Sequence, residues 1–305
     1  MKIGFNGLPL FTKELTQKLK SFDLKNKYVF YNTYEELKSK IRLMLSVSTL
    51  DGFVSFKGVS ENSKSLDLIL KKNVPLIMYW HGTDVSLAIE RAKKGTINWK
   101  YIKCAEHYSD APWLIEELNS IGVKAHCLPF KSIGPAQEAN VYDYKSIKVL
   151  SYIGHGREVF YGIKEVFKLA SDYPDVEFTI VGTKNKFPEA PSNVTFLGWV
   201  IANKMEQLMK THAVLLRLTE HDGNAQMIME AKAMGMECIW TQPDDDVIYW
   251  KGEKNLNLCL KEAFKRVEER DGKSNVTLAE KSIKSYNSRH VIINFIETLK
   301  KNFDK

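Results

Sequence analysis

The chain has 305 residues, 44% of them hydrophobic and 27% charged, which suits a soluble globular protein of two ordinary α/β domains and excludes a disordered or fibrous chain. Its apolar runs fall far short of the ~20 residues that span a bilayer, and the opening Met1-Lys2-Ile3-Gly4-Phe5-Asn6 reads as a strand, without the apolar core of a secretion signal. The net charge of +7 comes from lysines spread along the chain. Solvated helix faces are the first reading of that spread, and an anionic membrane face or a phosphate-bearing substrate the second; no aromatic-interleaved basic cluster points to nucleic acid.

The first half alternates strands and helices. Lys2–Phe5 is a strand, and Asn6-Gly7-Leu8-Pro9 is the loop after it. Thr12 to Ser21 is an amphipathic helix with Leu15 and Leu19 four apart. Tyr28–Tyr31 is a second strand, Glu35 to Leu45 a helix, and Gly52–Phe56 a third strand. Asn62 or Ser63 caps a helix that runs to Lys72. Val74–Trp80 is a buried strand that ends at His81-Gly82-Thr83-Asp84. Residues 131 to 146 carry glycine, proline and polar residues without periodicity and mark the domain boundary, so that 1–140 and 141–284 are the expected domains.

The pattern then restarts. Ile147–Ile153 is a strand followed by the loop Gly154-His155-Gly156-Arg157, and residues 161 to 171 form a helix. Val176–Val181 is a strand ending at Gly182-Thr183; Val194–Trp199 is another, and 203 to 211 a helix. The apolar run Ala213–Leu218 leads into Glu220-His221-Asp222-Gly223-Asn224-Ala225-Gln226, a polar turn, and then a helix carrying Glu230, before the strand Cys238–Thr241. Helices close the chain at 253–270 and 277–302, and the last turns of the final one, 285–305, are expected to pack back on the first domain. Alternation of this kind makes a parallel sheet with helices on both faces. Ligands of such sheets sit at the carboxyl ends of the strands. The small residues Gly223 and Ala225 let a phosphate or sugar oxygen approach the helix start.

Two α/β halves, a glycine loop opening each, and two acids eight positions apart resemble a GT-B glycosyltransferase, and the motifs from Val149 to Thr241 are similar to glycosyltransferase family four. Arg217-Leu218-Thr219-Glu220-His221-Asp222-Gly223 is similar to the Arg-Pro-Thr-x-His-Asp-Gly run of some members, and Glu230-Ala231-Lys232-Ala233-Met234-Gly235 matches the Glu-Ala-x-Ala-x-Gly block. The resemblance implies two Rossmann-like domains facing a central cleft. It also implies transfer of a sugar from a nucleoside-diphosphate donor, UDP favoured over GDP, to a hydroxyl acceptor, with retention and without a metal or cofactor. The acceptor class it leaves open is a glycan, a lipid-linked compound or a small hydroxyl compound.

The resemblance also distributes roles. Glu230 holds the ribose hydroxyls, since a carboxylate can accept from two at once. Asp222 and the backbone of Gly223, Asn224, Ala225 and Gln226 face the donor sugar. Arg157, beside Gly156, neutralises the diphosphate, and Gly182 and Thr183 complete the donor side. His81 meets the sugar from the first domain, with Gly7 and Asp84 on the acceptor side. Two positions depart from the family: Asp222 stands where it usually has glutamate, and Tyr161 where it has a lysine. An epimerase of the same fold, or a nucleotide-sugar binder without catalysis, are the alternatives.

Other constellations are set aside. Asp244-Asp245-Asp246 follows the last strand and reads as a solvated acidic turn. Gly154-x-Gly156 has Val159 where a dinucleotide fingerprint needs glycine, and no P-loop exists. Cys104, Cys127, Cys238 and Cys259 lack zinc or thioredoxin spacing and read as reduced thiols of a cytoplasmic protein, with peripheral contact at an inner membrane face as a further expectation.

Overall fold

The structure is a computed structural model describing residues 1–133, 138–252 and 255–304. The chain divides into two compact units. Met1–Lys131 with Ser288–Lys305 form one, and Ser132–Asn287 the other. Sequence placed the first division at 140/141 and the second at 284/285. Ser132 O accepts from Gln226 Nε2 at 3.4 Å, Ile133 bridges to Asn287, and Asn140 O accepts from Ser274 Oγ at 3.4 Å, which ties these residues to the second unit.

The first unit begins β1 (Lys2–Asn6), α1 (Pro9–Phe22), β2 (Lys27–Phe30), α2 (Leu37–Ser46), β3 (Gly52–Ser55), α3 (Lys64–Lys71) and β4 (Leu76–Trp80). It continues with α4 (Thr83–Lys93), α5 (Trp99–Ile102), β5 (Ala105–Ser109), α6 (Pro112–Ser120) and β6 (His126–Cys127). The sheet is parallel, in the order β2-β1-β3-β4-β5-β6. Side chains alternate across it, as the strand period of two requires. Phe53, Met78 and Trp80 enter one core; Val54, Ile77 and Tyr79 enter the other. α1 starts at Pro9, earlier than the expected Thr12, because proline suits the first helical turn. Ser63 caps α3, its Oγ accepting from Leu66 N at 3.4 Å.

The second unit runs β7 (Lys148–Ile153), α7 (Ile163–Asp172), β8 (Glu177–Gly182), β9 (Val194–Gly198), α8 (Ala202–Thr211) and β10 (Val214–Arg217). Then come α9 (Gln226–Ala233), β11 (Glu237–Trp240), β12 (Ile248–Tyr249), α10 (Leu256–Glu268) and α11 (Val276–Ser285). Its parallel sheet has the order β12-β11-β10-β7-β8-β9.

The final helix, α12 (Ser288–Phe303), belongs to the first unit. Ile292, Phe295, Ile296, Leu299 and Phe303 join Ile3, Phe5 and Leu15 in one core. Gly52 is bare because a Cβ there would lie 2.4 Å from the Phe303 ring. The single helix expected over 277–302 is two: α11 ends at Ser285 and α12 begins at Ser288, with the polar Tyr286-Asn287 between them. The expected linker at 131–146 and the expected helix from 253 both extend over positions outside the described residues.

Candidate functional site

In each sheet the chain starts at an inner strand, builds to one side and then returns to the other. The carboxyl ends of strands flanking such a switch point open a crevice. In the second unit that point lies between β7 and β10. The loops after these two strands touch, since the Glu220 N–H donates to Phe160 O at 3.0 Å. Arg157, Asp222 and the start of α9 therefore share one edge of one sheet.

The loop after β7 is held by Glu158. Its Oε1 accepts from Gly156 N at 3.0 Å, from Thr183 Oγ1 at 2.7 Å and from Asn185 Nδ2 at 2.6 Å. The Thr183 bond, then its own backbone N–H and that of Gly156, keep its pKa below the ordinary carboxylate value against a smaller opposing effect of burial. Glu158 thus ties the loops after β7 and β8 together rather than pairing with Arg157. Arg157 is exposed, its guanidinium 4.0 Å above the Phe160 ring centroid. Gly182 sits at φ +103 where a Cβ would lie 2.5 Å from Ile153 O, so only glycine lets β8 end against β7.

Asp222 has a partner that sequence reasoning did not assign it. Arg217, the last residue of β10, donates from Nε to Asp222 Oδ2, and the two side chains are 13% and 15% exposed. Burial alone lowers the pKa of the Arg217 guanidinium; the Asp222 carboxylate more than offsets this and raises it. The same guanidinium lies 5.8 Å from the Tyr161 ring centroid and 6.0 Å from that of Tyr152. Gly223, Asn224 and Ala225 are buried as the chain enters α9. Ala225 is the N-cap, and its side chain makes no capping hydrogen bond.

Glu230 lies one turn into α9, its Oε1 accepting from Gln226 Nε2 at 2.9 Å. It lines a cavity of about 560 Å³ with Trp199 and Val200, which follow β9, and with Asn140, Tyr142 and Asn203. The volume is within the range of small-molecule pockets. Arg157 and Asp222 stand on the same sheet edge but do not line this cavity.

In the first unit the switch point lies between β1 and β3. Gly7, after β1, takes φ +81 and touches the loop after β3: a Cβ there would lie 2.4 Å from Phe56 O. His81 follows β4. Its ring stacks on Tyr79 at 4.9 Å and on Phe56 at 5.5 Å, with its edge toward Phe130 at 5.3 Å. Both ring nitrogens are inaccessible, and among the described residues neither has a hydrogen-bond partner. Burial, and then the Lys131 charge, push its pKa well below the ordinary histidine value. Asp84 shapes the turn. Its Oδ1 accepts from His81 N at 2.9 Å, Gly82 N at 3.0 Å and Val85 N at 3.0 Å, and its Oδ2 from Gly58 N at 2.7 Å. Burial raises its pKa against the pull of these four bonds. Its place is therefore behind His81, as the brace of that loop.

No protein-family model matches the chain, and no curated protein matches it in sequence. Solved structures do. The chain is similar to HepE of Anabaena in complex with UDP-glucose: TM-score 0.65, 12% identity, 99% of this chain and 100% of that one covered. It is similar to sucrose-phosphate synthase from Thermosynechococcus elongatus: TM-score 0.66, 10% identity, 100% and 99% covered. It is also similar to the pneumococcal O-GlcNAc transferase GtfA in complex with UDP and GlcNAc: TM-score 0.58, 9% identity, covering 86% of this chain and 60% of that longer one. The fold is GT-B.

Within this GT-B fold, the described residues depart from sequence reasoning in two further places. Asp244 and Asp246 are not a solvated turn. Asp244 accepts from the buried Lys232 Nζ at 2.8 Å, and Asp246 accepts from Lys281 Nζ at 2.6 Å. A lysine inside α9 requires such partners, and the acidic run supplies them. The second departure is Arg217, given no role at the sequence level; its signal was a permanent charge ending an otherwise apolar strand. The Phe160–Tyr161 platform and Trp199 carry no motif and emerge only from the fold.

Proposed function

We propose that this chain transfers a glycosyl group from a nucleoside-diphosphate sugar, UDP-linked by preference, to a hydroxyl acceptor, with retention of configuration and without a metal. The observation that carries this reading is the β7/β10 switch point. There an exposed guanidinium, Arg157, and a helix start without a side-chain cap at Ala225 share a sheet edge with the cavity lined by Glu230. In this reading Arg157 and the first N–H groups of α9 neutralise the departing diphosphate. Glu230 accepts from the ribose hydroxyls, and the cavity beside Trp199 and Val200 takes the base. Asp222, oriented by Arg217, and the backbone of Gly223, Asn224, Ala225 and Gln226 face the sugar. Gly156, Gly182 and Thr183 let the loops approach the phosphates closely. Of the first-unit candidates, Gly7 and Asp84 shape the loops around His81, whose buried ring nitrogens would meet a sugar hydroxyl only after the ring turns out of its stack. The UDP preference draws support from HepE and GtfA, which hold UDP-glucose, or UDP with GlcNAc.

A second reading, a nucleotide-sugar binder without catalysis, is favoured by one observation: the Asp222 carboxylate is engaged by Arg217. Thermal unfolding with UDP, GDP, ADP and their sugars tests the donor assignment. At a hundredfold excess over Kd, binding stabilises by about 2.7 kcal/mol, which raises Tm by several degrees in wild type. The gain is lost in Glu230→Ala. If no nucleotide moves the transition, the reading fails. Transfer or hydrolysis of the donor, measured with and without chelator, then separates enzyme from binder and tests metal independence.

A further inference from the structure

We infer that α2 is a membrane-surface helix that seats the first unit on an anionic lipid bilayer. The helix, Leu37–Ser46, packs on the core through Leu43, with the buried Ser39 on the same side. Its outer face is apolar: Leu37, Ile41, Met44 and Leu45 are 71%, 47%, 62% and 80% exposed. At 3.6 residues per turn these four fall in a stripe about 100° wide, opposite the face that carries Ser39 and Leu43. Isolated exposed leucines need no explanation, but a contiguous stripe rimmed by charge does.

The charge is of one sign. Lys38 borders the stripe on the Leu45 side and Lys40 on the Met44 side, both exposed, and no acid lies between Leu37 and Ser46. The two acids before the helix are turned away from this face. Glu35 accepts from Asn32 Nδ2 at 2.8 Å, and Glu36 from Ser39 Oγ, on the buried side, at 2.7 Å. Arg42 is folded back, donating to Phe30 O with its guanidinium 5.0 Å from the Tyr31 ring centroid. An apolar stripe with lysines on both borders suits an interface where side chains enter the acyl boundary and ammonium groups stay at phosphate level. A second copy of the chain fits less well, because a two-fold contact on this face would bring its lysines onto their own copies. The inference stands apart from the glycosyl-transfer reading and is tested without nucleotide.

Sedimentation of the full chain with vesicles of phosphatidylcholine, with or without about one-third phosphatidylglycerol, reads it directly. Wild type should pellet with the anionic vesicles and remain in solution with the neutral ones. Lys38→Gln and Lys40→Gln should each weaken partitioning about fivefold. The variant L37S/I41S/M44S/L45S should lose at least about tenfold. All four positions are exposed, so the melting transition should hold; if it falls, Leu37→Ser and Leu45→Ser singly carry the test. Equal binding to neutral vesicles, no binding to anionic ones, or full binding by the quadruple variant overturns the inference. So does a wild-type dimer, seen by sedimentation velocity, that the quadruple variant abolishes.

Discussion

The buried pair Arg217–Asp222 makes a demanding prediction because it joins the strand end to the loop that the proposed chemistry uses. Its side chains are 13% and 15% exposed, so solvent screens it little. Removing one partner of a buried pair costs about 3–5 kcal/mol. The residual exposure places Asp222→Ala near the lower end, about 3 kcal/mol, because the guanidinium is left between Tyr152 and Tyr161 without its carboxylate. Arg217→Met keeps the stem packed and should cost about 2 kcal/mol, since the freed carboxylate keeps the Thr219 hydroxyl, 3.4 Å from its Oδ2, as a donor. The double variant R217M/D222A leaves no buried charge behind. It should cost no more than either single change, giving a coupling of about 3 kcal/mol or more. Urea unfolding of the four proteins, followed by tryptophan fluorescence, measures the cycle; Trp240 reports locally, since it pairs with Arg217 across β10 and β11. Arg217→Lys should not restore stability, because an ammonium lacks the planar fork. Additive single effects, within about 0.5 kcal/mol, would refute the argument that the two residues act as a unit.

Three further outcomes follow from the geometry. Gly182→Ala and Gly7→Ala each force a Cβ within 2.5 Å of a backbone oxygen at positive φ and should cost about 3 kcal/mol; Gly156→Ala meets nothing within 4 Å and should cost only about 1 kcal/mol in thermal unfolding. Because His81 has a folded pKa below its unfolded value, the unfolded chain binds the extra proton as pH falls, and stability should drop below about pH 6.5 by up to about 1.4 kcal/mol per pH unit. The same direction applies to buried His107 and His212, so His81→Phe should keep their share of the slope and lose its own; the difference between wild type and variant should grow as pH falls from 7 to 5, and a flat difference would refute the argument. Arg157→Gln should weaken a nucleoside diphosphate about tenfold or more in calorimetric titration while leaving the nucleoside itself unaffected; equal losses for both would remove Arg157 from the phosphate role.

Much of the architecture was legible because parallel sheets buried on both faces leave apolar runs that punctuate a sequence cleanly. β4, with Met78, Tyr79 and Trp80 in a row, could be read at sight, as could β10. β5 could not: Ala105-Glu106-His107-Tyr108-Ser109 is a polar string. Its core histidine is satisfied by Trp80 Nε1 at 3.1 Å and by Ile102 O at 2.8 Å, partners that only tertiary structure supplies. The break between α11 and α12 was equally hidden, because apolar residues continue at helical spacing on both sides while facing different cores. At the site, Glu230 and Asp222 are legible as a motif, but their partners are not. Gln226 lies one turn away and could be guessed; the Glu158–Thr183–Asn185 tie spans two loops and could not.

The Tyr161 position shows how a departure from pattern can be read physically. Where the resemblance leads to a lysine, the chain places an aromatic ring that stands edge-on to Tyr152 at 5.4 Å and close to two guanidiniums: Arg157 at 6.0 Å and Arg217 at 5.8 Å from its centroid. A ring so placed attracts cations to its face and fixes them. Positive charge beside this ring is therefore carried by two arginines, one in the loop after β7 and one ending β10, and the second is paired with Asp222. Under the proposed reading this leaves Arg157 as the exposed charge that meets the diphosphate and Arg217 as the buried one that orients Asp222. The two arginines should then fail differently. Arg157→Gln should spare stability and cost nucleotide affinity, whereas Arg217→Met should cost stability first, and the melting transition measured beside nucleotide titration separates them.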